Sequence, residues 1–422
     1  MNTSGSGSGT ASGVSDAAAG SGLHRNAACI LGIPIDSLTL DDVGRKIDSS
    51  VRTGQRLFIS TVNLNFLTLC RSSDAFRSSL RASDICTADG MAVVALCRFL
   101  GIAVPERVAG SDFVSSLAKR AASRPHVKVF FFGGAENAGA RACSAVDGLG
   151  SPVLSCCGHL NPGFGGIEDL SNAAKLDEIN ASHADFLVVS LGAEKGQSWI
   201  VRNLGRIGPP VVSHLGASIN FLAGTVQRAP GALQKTGLEW LWRIYQEPHL
   251  FTRYAKDAAT LAGLMLTAII PLRVWLSIGK WKYGTAGLGI TQTGGGSGHA
   301  CLKLQGALTR GATAKLATAF TDAMTSASSI SLDLGQVSWL DPYGAGCLLV
   351  MTEAARLRGI AVTAVGAPRF VQTGLKLFGL TDLMAESGSE DLRVPPQTNK
   401  ELAYRALDAV EYPAGTLAGP KN

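Results

Sequence analysis

The chain has 422 residues, of which 46% are hydrophobic and 17% are charged, and its formal net charge is +6. This length exceeds that of one ordinary domain, and the composition excludes a collagen-like or wholly disordered chain, so we expect two or three domains. The basic residues form no dense Lys/Arg block with interleaved aromatics, so the charge favours an anionic ligand or a phospholipid surface over nucleic acid.

The N-terminal segment, residues 1–27, is rich in Gly and Ser and has neither a charged start nor an apolar stretch. It predicts a disordered, flexible tail rather than a secretory signal. The nine cysteines are scattered and form no Cys-x-x-Cys pair, which favours free thiols in a reducing compartment over disulfides or a zinc site.

Residues 28–256 alternate short apolar runs with helical patterns. The runs VKVFFFGG, DFLVVSLG and PPVVSHLG are apolar without alternation and are closed by glycine, which is typical of buried parallel strands. Helical patterns over 137–148 and 168–182 lie between them. This rhythm predicts an α/β domain with a parallel, Rossmann-like sheet and helices on both faces. Ligands of such sheets bind beyond the carboxyl ends of the strands.

Polar residues occur where two of these segments end. The run STVNLNF places Thr61 and Asn63 at a strand end, where a hydroxyl and an amide can bind sugar hydroxyls or phosphate. Asp89 precedes a glycine and an apolar run, and Arg107 follows in a Pro-Glu-Arg turn. Each has two interpretations. Asp89 is a helix cap or a general base, and Arg107 is a surface arginine or a fixed charge for a diphosphate.

Three glycine-containing turns add further candidates for ligand binding. One ends a strand, where backbone N–H groups can cradle phosphate, although the GxGxxG fingerprint of dinucleotide-binding proteins is absent. The candidates in these turns are Gly133, Gly134, Gly192, Lys195, Gln197 and Arg228. No His/Cys/Asp cluster has metal-ligand spacing and no Ser-His-Asp arrangement is visible, so the sequence predicts neither a metal site nor an organic cofactor.

Residues 257–284 combine an apolar half with an aromatic and basic flank. The apolar run 258–272 is shorter than the ~20 residues that span a bilayer, and the flank WLSIGKWKY follows it. These features favour an interfacial membrane helix, with a buried core helix and a transmembrane span as alternatives.

A second domain follows a Gly-rich stretch. Residues 285–298 are predicted to be a linker, 299–390 a small α/β domain, and 391–422 a polar tail. In the small domain CLKLQGAL, SISLDLGQVSWL and IAVTAVG predict strands. GATAKLATAFTDAM, GAGCLLVMTEAARLRG and RFVQTGLKLFGL predict helices.

Seven segments, taken in order, resemble the WecG/TagA/CpsF family of bacterial glycosyltransferases. They are TVN, ADGMAVV, PERVAGSD, FFFGGAENA, LGAEKGQSWI, GASINFLAGTVQRAP and GLEWLWRIYQEP. The resemblance implies an inverting, metal-independent transfer of a sugar from a UDP-sugar to a polyprenyl-diphosphate-linked sugar. The product would be a bacterial surface polysaccharide or exopolysaccharide, made at the inner face of the cytoplasmic membrane by a peripherally bound enzyme.

The resemblance also implies roles for individual residues. Asp89 matches the general base, Thr61 and Asn63 match sugar-pocket residues, and Arg107 matches the arginine near the acceptor diphosphate. The family's C-terminal appendage, thought to close the site at the membrane, carries arginines that correspond to Arg243 and Arg253. The chain departs from the family where Gly-x-Pro-Lys-Gln-Glu is replaced by Gly-Ala-Glu-Lys-Gly-Gln, which keeps the lysine and displaces the glutamine.

The second domain resembles a STAS domain over about 299–386, through LDLGQVSWLDPYGAGCLLVMTEAARLRGI and LKLFGLTDLM. The family's phosphorylated Ser or Thr follows an Asp, where this chain has Pro342, and proline has no hydroxyl to phosphorylate. We therefore expect the domain to dock a partner protein or the transferase itself, or to be a passive stabilising module.

Two functional hypotheses follow. The first is an active, membrane-associated glycosyltransferase with Asp89 as the base. The second is a nucleotide-sugar-binding regulatory protein of weakened activity that signals through its STAS domain.

Overall fold

The structure, a computed structural model, describes residues 25–216, 239–246, 250–284, 287–294 and 298–384, together with positions 219, 222, 230, 233 and 248. The described residues form twelve strands. In chain order they are β1 Ala27–Ile30, β2 Ile33–Asp36, β3 Leu57–Val62, β4 Ile85–Ala88, β5 Val127–Gly133, β6 Leu154–Leu160, β7 Phe186–Ser190, β8 Val211–His214, β9 Gly289–Thr293, β10 His299–Leu308, β11 Ser329–Leu340 and β12 Ala361–Val365.

The helices of the described residues fall into three groups. Those of the N-terminal domain are α1 Leu40–Thr53, α2 Leu64–Ser72, α3 Asp74–Arg81, α4 Met91–Phe99, α5 Gly110–Ala118, α6 Ala138–Gly148, α7 Ile167–Leu170, α8 Ala173–Ala181 and α9 Ala193–Asn203. Those that follow are α10 Glu239–Gln246, α11 Leu250–Leu264, a π-helical turn Met265–Ile269 and α12 Ile270–Tyr283. Those of the C-terminal domain are α13 Thr313–Ser326, α14 Pro342–Arg356 and α15 Arg369–Phe378, with 3₁₀ turns Arg310–Ala312 and Thr381–Leu383.

The N-terminal domain is built on a six-stranded sheet in the order β4-β3-β8-β7-β5-β6, and every pairing within it is parallel. Its central strands are buried on both faces, which is why their sequences show continuous apolar runs. The predicted parallel, Rossmann-like α/β fold is confirmed. The helical pattern over 168–182 is two helices, because the side chain of Asn172 accepts the Lys175 N–H and starts α8 there.

One prediction about the cysteines is wrong. Helix α6 packs on β6 and brings Cys143 beside Cys156, with 5.1 Å between their Cα atoms, and the structure joins them as a disulfide. The pairing is between neighbouring elements and leaves no Cys-x-x-Cys trace in the sequence. The remaining seven cysteines are free thiols, as expected.

The C-terminal domain has a four-stranded sheet in the order β12-β11-β10-β9. Its six predicted strands and helices are confirmed. Residues 289–293, expected to lie in the linker, instead form β9, which pairs antiparallel with β10. Strand β9 adds an edge to the sheet and is mostly exposed, so its sequence lacks the apolar pattern of the inner strands.

An antiparallel hairpin of β1 and β2 lies between the two domains. On one side the Asp36 carboxylate accepts the Cys86 N–H of β4 at 2.6 Å, and Arg25 pairs with the same carboxylate. On the other side α14 approaches β1 so closely that a Cβ on Gly346 would collide with the Ala27 carbonyl. The hairpin and the C-terminal domain consequently share one apolar core.

Helices α11 and α12 continue through the π-helical turn as one long helix. Tyr254–Tyr283 is the one helix among the described residues that is long and apolar enough to cross a membrane by length and composition. Trp275 of α12 stacks on Phe370 with 4.9 Å between ring centroids, and its indole N–H donates to the Phe370 carbonyl. One side of the helix is therefore packed into the C-terminal domain, while other apolar residues on it are exposed.

Candidate active site

A cavity of about 860 Å³ opens at the carboxyl ends of the parallel strands. Its floor consists of residues that end or follow β3, β4, β7 and β8, which are neighbours in the sheet. Helices α10 and α11 form its opposite wall, with an aromatic and aliphatic lining. The wall residues are Trp240, Ile244, Phe251, Tyr254, Asp257, Ala258 and Leu261. Helices α10 and α11 thus cover the position where ligands of parallel sheets bind.

Five of the predicted site residues line this cavity. They are Thr61, Asn63, Asp89, Arg107 and Gly192. The structure gives Asn63 a second role, because its side-chain oxygen caps α2 by accepting the Phe66 N–H at 3.1 Å. Its NH₂ group is then the part of the amide that suits a ligand.

Asp89 directly follows β4. Its backbone N–H donates to the Val62 carbonyl at 2.8 Å, which ties the residue to the end of β3. Gly90 then adopts φ 91°, a conformation that side-chain-bearing residues rarely take, and begins α4. The Asp-Gly pair therefore turns the chain sharply at the sheet edge and leaves Asp89 in the cavity floor.

Arg107 is brought to the same side of the cavity by the loop that joins α4 to α5. The Val108 N–H donates to the Ala88 carbonyl at 3.0 Å, and the Thr87 hydroxyl donates to the Val108 carbonyl at 3.0 Å. These bonds fix the residue after Arg107 to the residue before Asp89. Arg107 also pairs with Asp112 of α5 at 3.2 Å, which orients the guanidinium.

The other predicted site residues with described side chains lie away from the cavity wall. Gln197 is 0% exposed and donates to the Ser60 hydroxyl beneath the sheet edge, so its expected place in the pocket is wrong. The Lys195 ammonium donates to the Gly165 carbonyl at 2.9 Å, on the far side of the β7–α9 turn.

The Gly133-Gly134 turn also lies off the wall. The Gly134 N–H donates to the Ser190 carbonyl at 2.8 Å, and a Cβ on Gly133 would collide with that same carbonyl. The two glycines therefore allow β5 and β7 to end in close contact. Arg228 and the side chains of Arg243 and Arg253 lie outside the part of the chain that the structure describes; the backbones of the last two lie in α10 and α11.

The cavity also contains a histidine that no sequence motif marks. His214 ends β8, is buried, and its Nε2 lies 2.8 Å from the Leu191 carbonyl. Since a carbonyl only accepts, Nε2 carries the proton, and burial lowers the pKa of the imidazole below its usual value. The ring lies so close to Gly196 that a Cβ there would collide with it. His214 therefore holds the turn after β7 as a neutral side chain.

Asp257 is a second cavity residue that the sequence did not predict. It lies on α11, is 8% exposed, and lines the cavity among apolar neighbours. Its position at the end of YAKD, just before an apolar run, carries no motif, so only the folding of α11 over the sheet reveals it. Within the described residues, no group of three or more His, Cys, Asp or Glu side chains is placed to hold a metal ion.

Two family models match most of the chain. Residues 28–273 match the glycosyl transferase WecG/TagA/CpsF family, and residues 292–385 match the Mlab, STAS domain family. Curated relatives include two enzymes with the same name, N-acetylglucosaminyldiphosphoundecaprenol N-acetyl-beta-D-mannosaminyltransferase. That of Staphylococcus aureus (strain MRSA252) is 26% identical over 216 residues, which cover 51% of this chain and 82% of the relative. That of Bacillus spizizenii is 28% identical over 197 residues, which cover 46% and 74%.

Proposed function

Since this chain belongs to the WecG/TagA/CpsF family of glycosyltransferases, we propose that it transfers a sugar from a UDP-sugar to a saccharide linked to a polyprenyl diphosphate. The names of the relatives specify an acceptor in which N-acetylglucosamine is joined through diphosphate to undecaprenol. The observation that carries the proposal is the juxtaposition of Asp89 and Arg107. The Val108–Ala88 hydrogen bond brings a carboxylate and a guanidinium, a cation suited to diphosphate, to one side of the cavity.

In this proposal Asp89 is the general base. Its carboxylate takes the proton from an acceptor hydroxyl while the hydroxyl oxygen forms a bond to the anomeric carbon of the donor. The bond between that carbon and the diphosphate oxygen breaks, and the electron pair leaves with UDP. Attack opposite the leaving group inverts the configuration, so an α-linked UDP-sugar would give the beta linkage in the names of the relatives.

Arg107 binds the diphosphate that joins the acceptor sugar to its lipid. A guanidinium stays protonated at any physiological pH and matches phosphate oxygens with paired N–H donors. Asp112 fixes its orientation from the first turn of α5. Thr61 and Asn63 lie on the floor of the cavity, where they suit the donor sugar, and the apolar wall from α10 and α11 suits the first isoprene units.

We place the enzyme on the cytoplasmic face of the membrane through an exposed apolar stripe on the long helix. The stripe residues recur at intervals of four and three; they are Leu266, Ile270, Val274, Ile278 and Trp281, the last 86% exposed. The opposite side of α12, which includes Leu272 and Trp275, is buried in the C-terminal domain. A helix packed along its side on a globular domain lies in the interface rather than across the bilayer, and Lys280 and Lys282 beside the stripe suit anionic headgroups.

The proposal is tested by UDP release from a panel of UDP-sugars with a synthetic polyprenyl-diphosphate-linked N-acetylglucosamine, and the control omits the acceptor. We expect acceptor-dependent release with at least one donor, and undiminished release in EDTA because the family resemblance implies a metal-independent transfer. A strict requirement for Mg²⁺ would contradict the metal-independent mechanism. UDP binding without release from any donor would instead support the regulatory alternative.

A further inference from the structure

The loop that carries Arg107 is held by a residue of the other domain. The Ala103 N–H donates to the Tyr343 hydroxyl at 2.9 Å, although 240 positions separate the two residues. Tyr343 lies in the first turn of α14 and is buried. Its hydroxyl is also 3.2 Å from the Ser37 hydroxyl, whose oxygen can accept a hydrogen bond from the tyrosine O–H. Tyr343 thus joins two segments of the transferase domain across the interface.

The position of the Tyr343 ring is itself fixed. Asp341 caps α14 by accepting the Gly344 N–H at 2.7 Å, and its other oxygen accepts the Arg310 N–H at 2.9 Å. The Arg310 guanidinium lies 4.7 Å from the centre of the Tyr343 ring. The tyrosine hydroxyl is therefore presented to the loop by a rigid helix start.

Arg107 lies between two anchors of one loop. On one side the Ala103 N–H is bonded to Tyr343, and on the other side the Val108 N–H is bonded to the Ala88 carbonyl. The second anchor belongs to the transferase sheet, whereas the first comes from the C-terminal domain. Loss of the first anchor removes the tie between this segment and the C-terminal domain. The Glu106 carboxylate still accepts the Leu40 N–H at 2.6 Å within the transferase domain, so the loop loosens without coming away from the sheet.

We propose that Tyr343 is a positioning residue for the acceptor diphosphate, and that the C-terminal domain acts within its own chain by holding the Arg107 loop. This inference rests on the proposed function. It assigns the domain a role in acceptor binding, because Arg107 serves the diphosphate. It assigns no role in donor binding, because the hydrogen bonds of the Tyr343 hydroxyl go to Ser37 and Ala103 rather than to β3, which carries Thr61.

The test compares the Tyr343→Phe and Ser37→Ala variants with the wild-type full-length chain. Tyr343→Phe keeps the ring and removes the acceptor for Ala103, while Ser37→Ala removes the other partner of the hydroxyl and keeps the Ala103 bond. In initial-rate kinetics we expect the KM for the polyprenyl-diphosphate acceptor to rise about three- to tenfold in Tyr343→Phe, the range that one hydrogen bond supports. The kcat and the KM for the donor should stay within about twofold, as should all constants of Ser37→Ala.

Hydrogen exchange of the 103–108 amides supplies a readout that does not depend on activity. We expect faster exchange there in Tyr343→Phe than in Ser37→Ala. An unchanged acceptor KM in Tyr343→Phe, or an equal rise in the KM for acceptor and the KM for donor, would overturn the inference. The proposed function would still be supported by transfer in the wild type. Absence of transfer by the wild type would defeat the proposed function and the acceptor role together, and the exchange data would still show whether Tyr343 holds the loop.

Discussion

Polar residues end three adjacent strands of the sheet and give the cavity floor its chemistry. Asp89 follows β4, Thr61 lies in β3, and His214 ends β8. Parallel strands bring their carboxyl ends to one edge, so residues far apart in the sequence meet there. Thr61 and Asp89 lie in segments whose order along the chain marks the family, and this made them predictable.

His214 should make stability depend on pH in a recognisable way. Burial lowers the pKa of its imidazole in the folded protein, so below a pH of about 6.5 the unfolded chain binds a proton that the folded chain does not. The free energy of unfolding should therefore fall as the pH is lowered through this range, by up to about 1.4 kcal/mol per pH unit from this residue. Urea unfolding of the wild type and of His214→Gln between pH 7.5 and 5 measures the effect. We expect a shallower decline in the variant, and parallel declines would contradict the assignment.

Other parts of the site could not be predicted from the sequence. His214 ends an apolar strand without a motif, and Asp257 reaches the cavity only because α11 folds over the sheet. Gln197 was expected in the pocket, but its position in α9 turns its side chain toward Ser60. The sequence shows which residue types follow a strand, whereas the face of a helix that meets the cavity depends on how the helix packs.

The long helix that follows the transferase sheet presents different faces in its two halves. Tyr254, Asp257, Ala258 and Leu261 of α11 line the cavity at helical spacing. Leu272, Trp275, Leu276 and Gly279 of α12 show the same spacing but face the C-terminal domain. The π-helical turn between them alters the register of the helix. One element therefore joins the lid of the site to the second domain.

The exposed stripe should govern membrane binding. We expect Val274→Glu to lower the partition of the protein onto phosphatidylglycerol vesicles by about tenfold or more, because a charge replaces an apolar side chain in the interface. Leu149→Glu is the matched control, since Leu149 is 52% exposed and Val274 is 53% exposed, but Leu149 lies on the transferase surface away from the stripe. Vesicle flotation measures both variants. Equal binding of the two would show that the stripe does not contact lipid.

At the scale of the whole molecule, the order and type of the domains were predictable, but their packing was not. The apolar periodicities predicted both α/β folds, because local patterns report which elements are buried. Besides the shared apolar core, the domains are joined by polar contacts of single residues such as Tyr343 and by the Arg81–Asp382 pair, whose partners are about 240 to 300 positions apart. Nothing local in the sequence marks such pairs.

The packing also bears on the predicted partner of the STAS domain. The start of α14, next to Pro342, contacts Ser37 and Ala103 of the transferase domain. That end of the helix is therefore covered by the transferase domain of the same chain. Docking to the transferase itself, one of the expectations from the sequence, is what the structure shows there, so we expect any separate protein partner to use another surface.

In the proposed function this cavity performs glycosyl transfer with Asp89 as the base, and the Asp89→Asn variant tests that role. Asp89→Asn keeps the size of the side chain and removes its basicity, while Asp322→Asn makes the same change on an exposed surface of the C-terminal domain. Acceptor-dependent UDP release should fall by about 10²- to 10⁴-fold in Asp89→Asn, with UDP binding and folding retained, and should be unchanged in Asp322→Asn. Turnover of Asp89→Asn close to that of the wild type would contradict the assignment of Asp89 as the base.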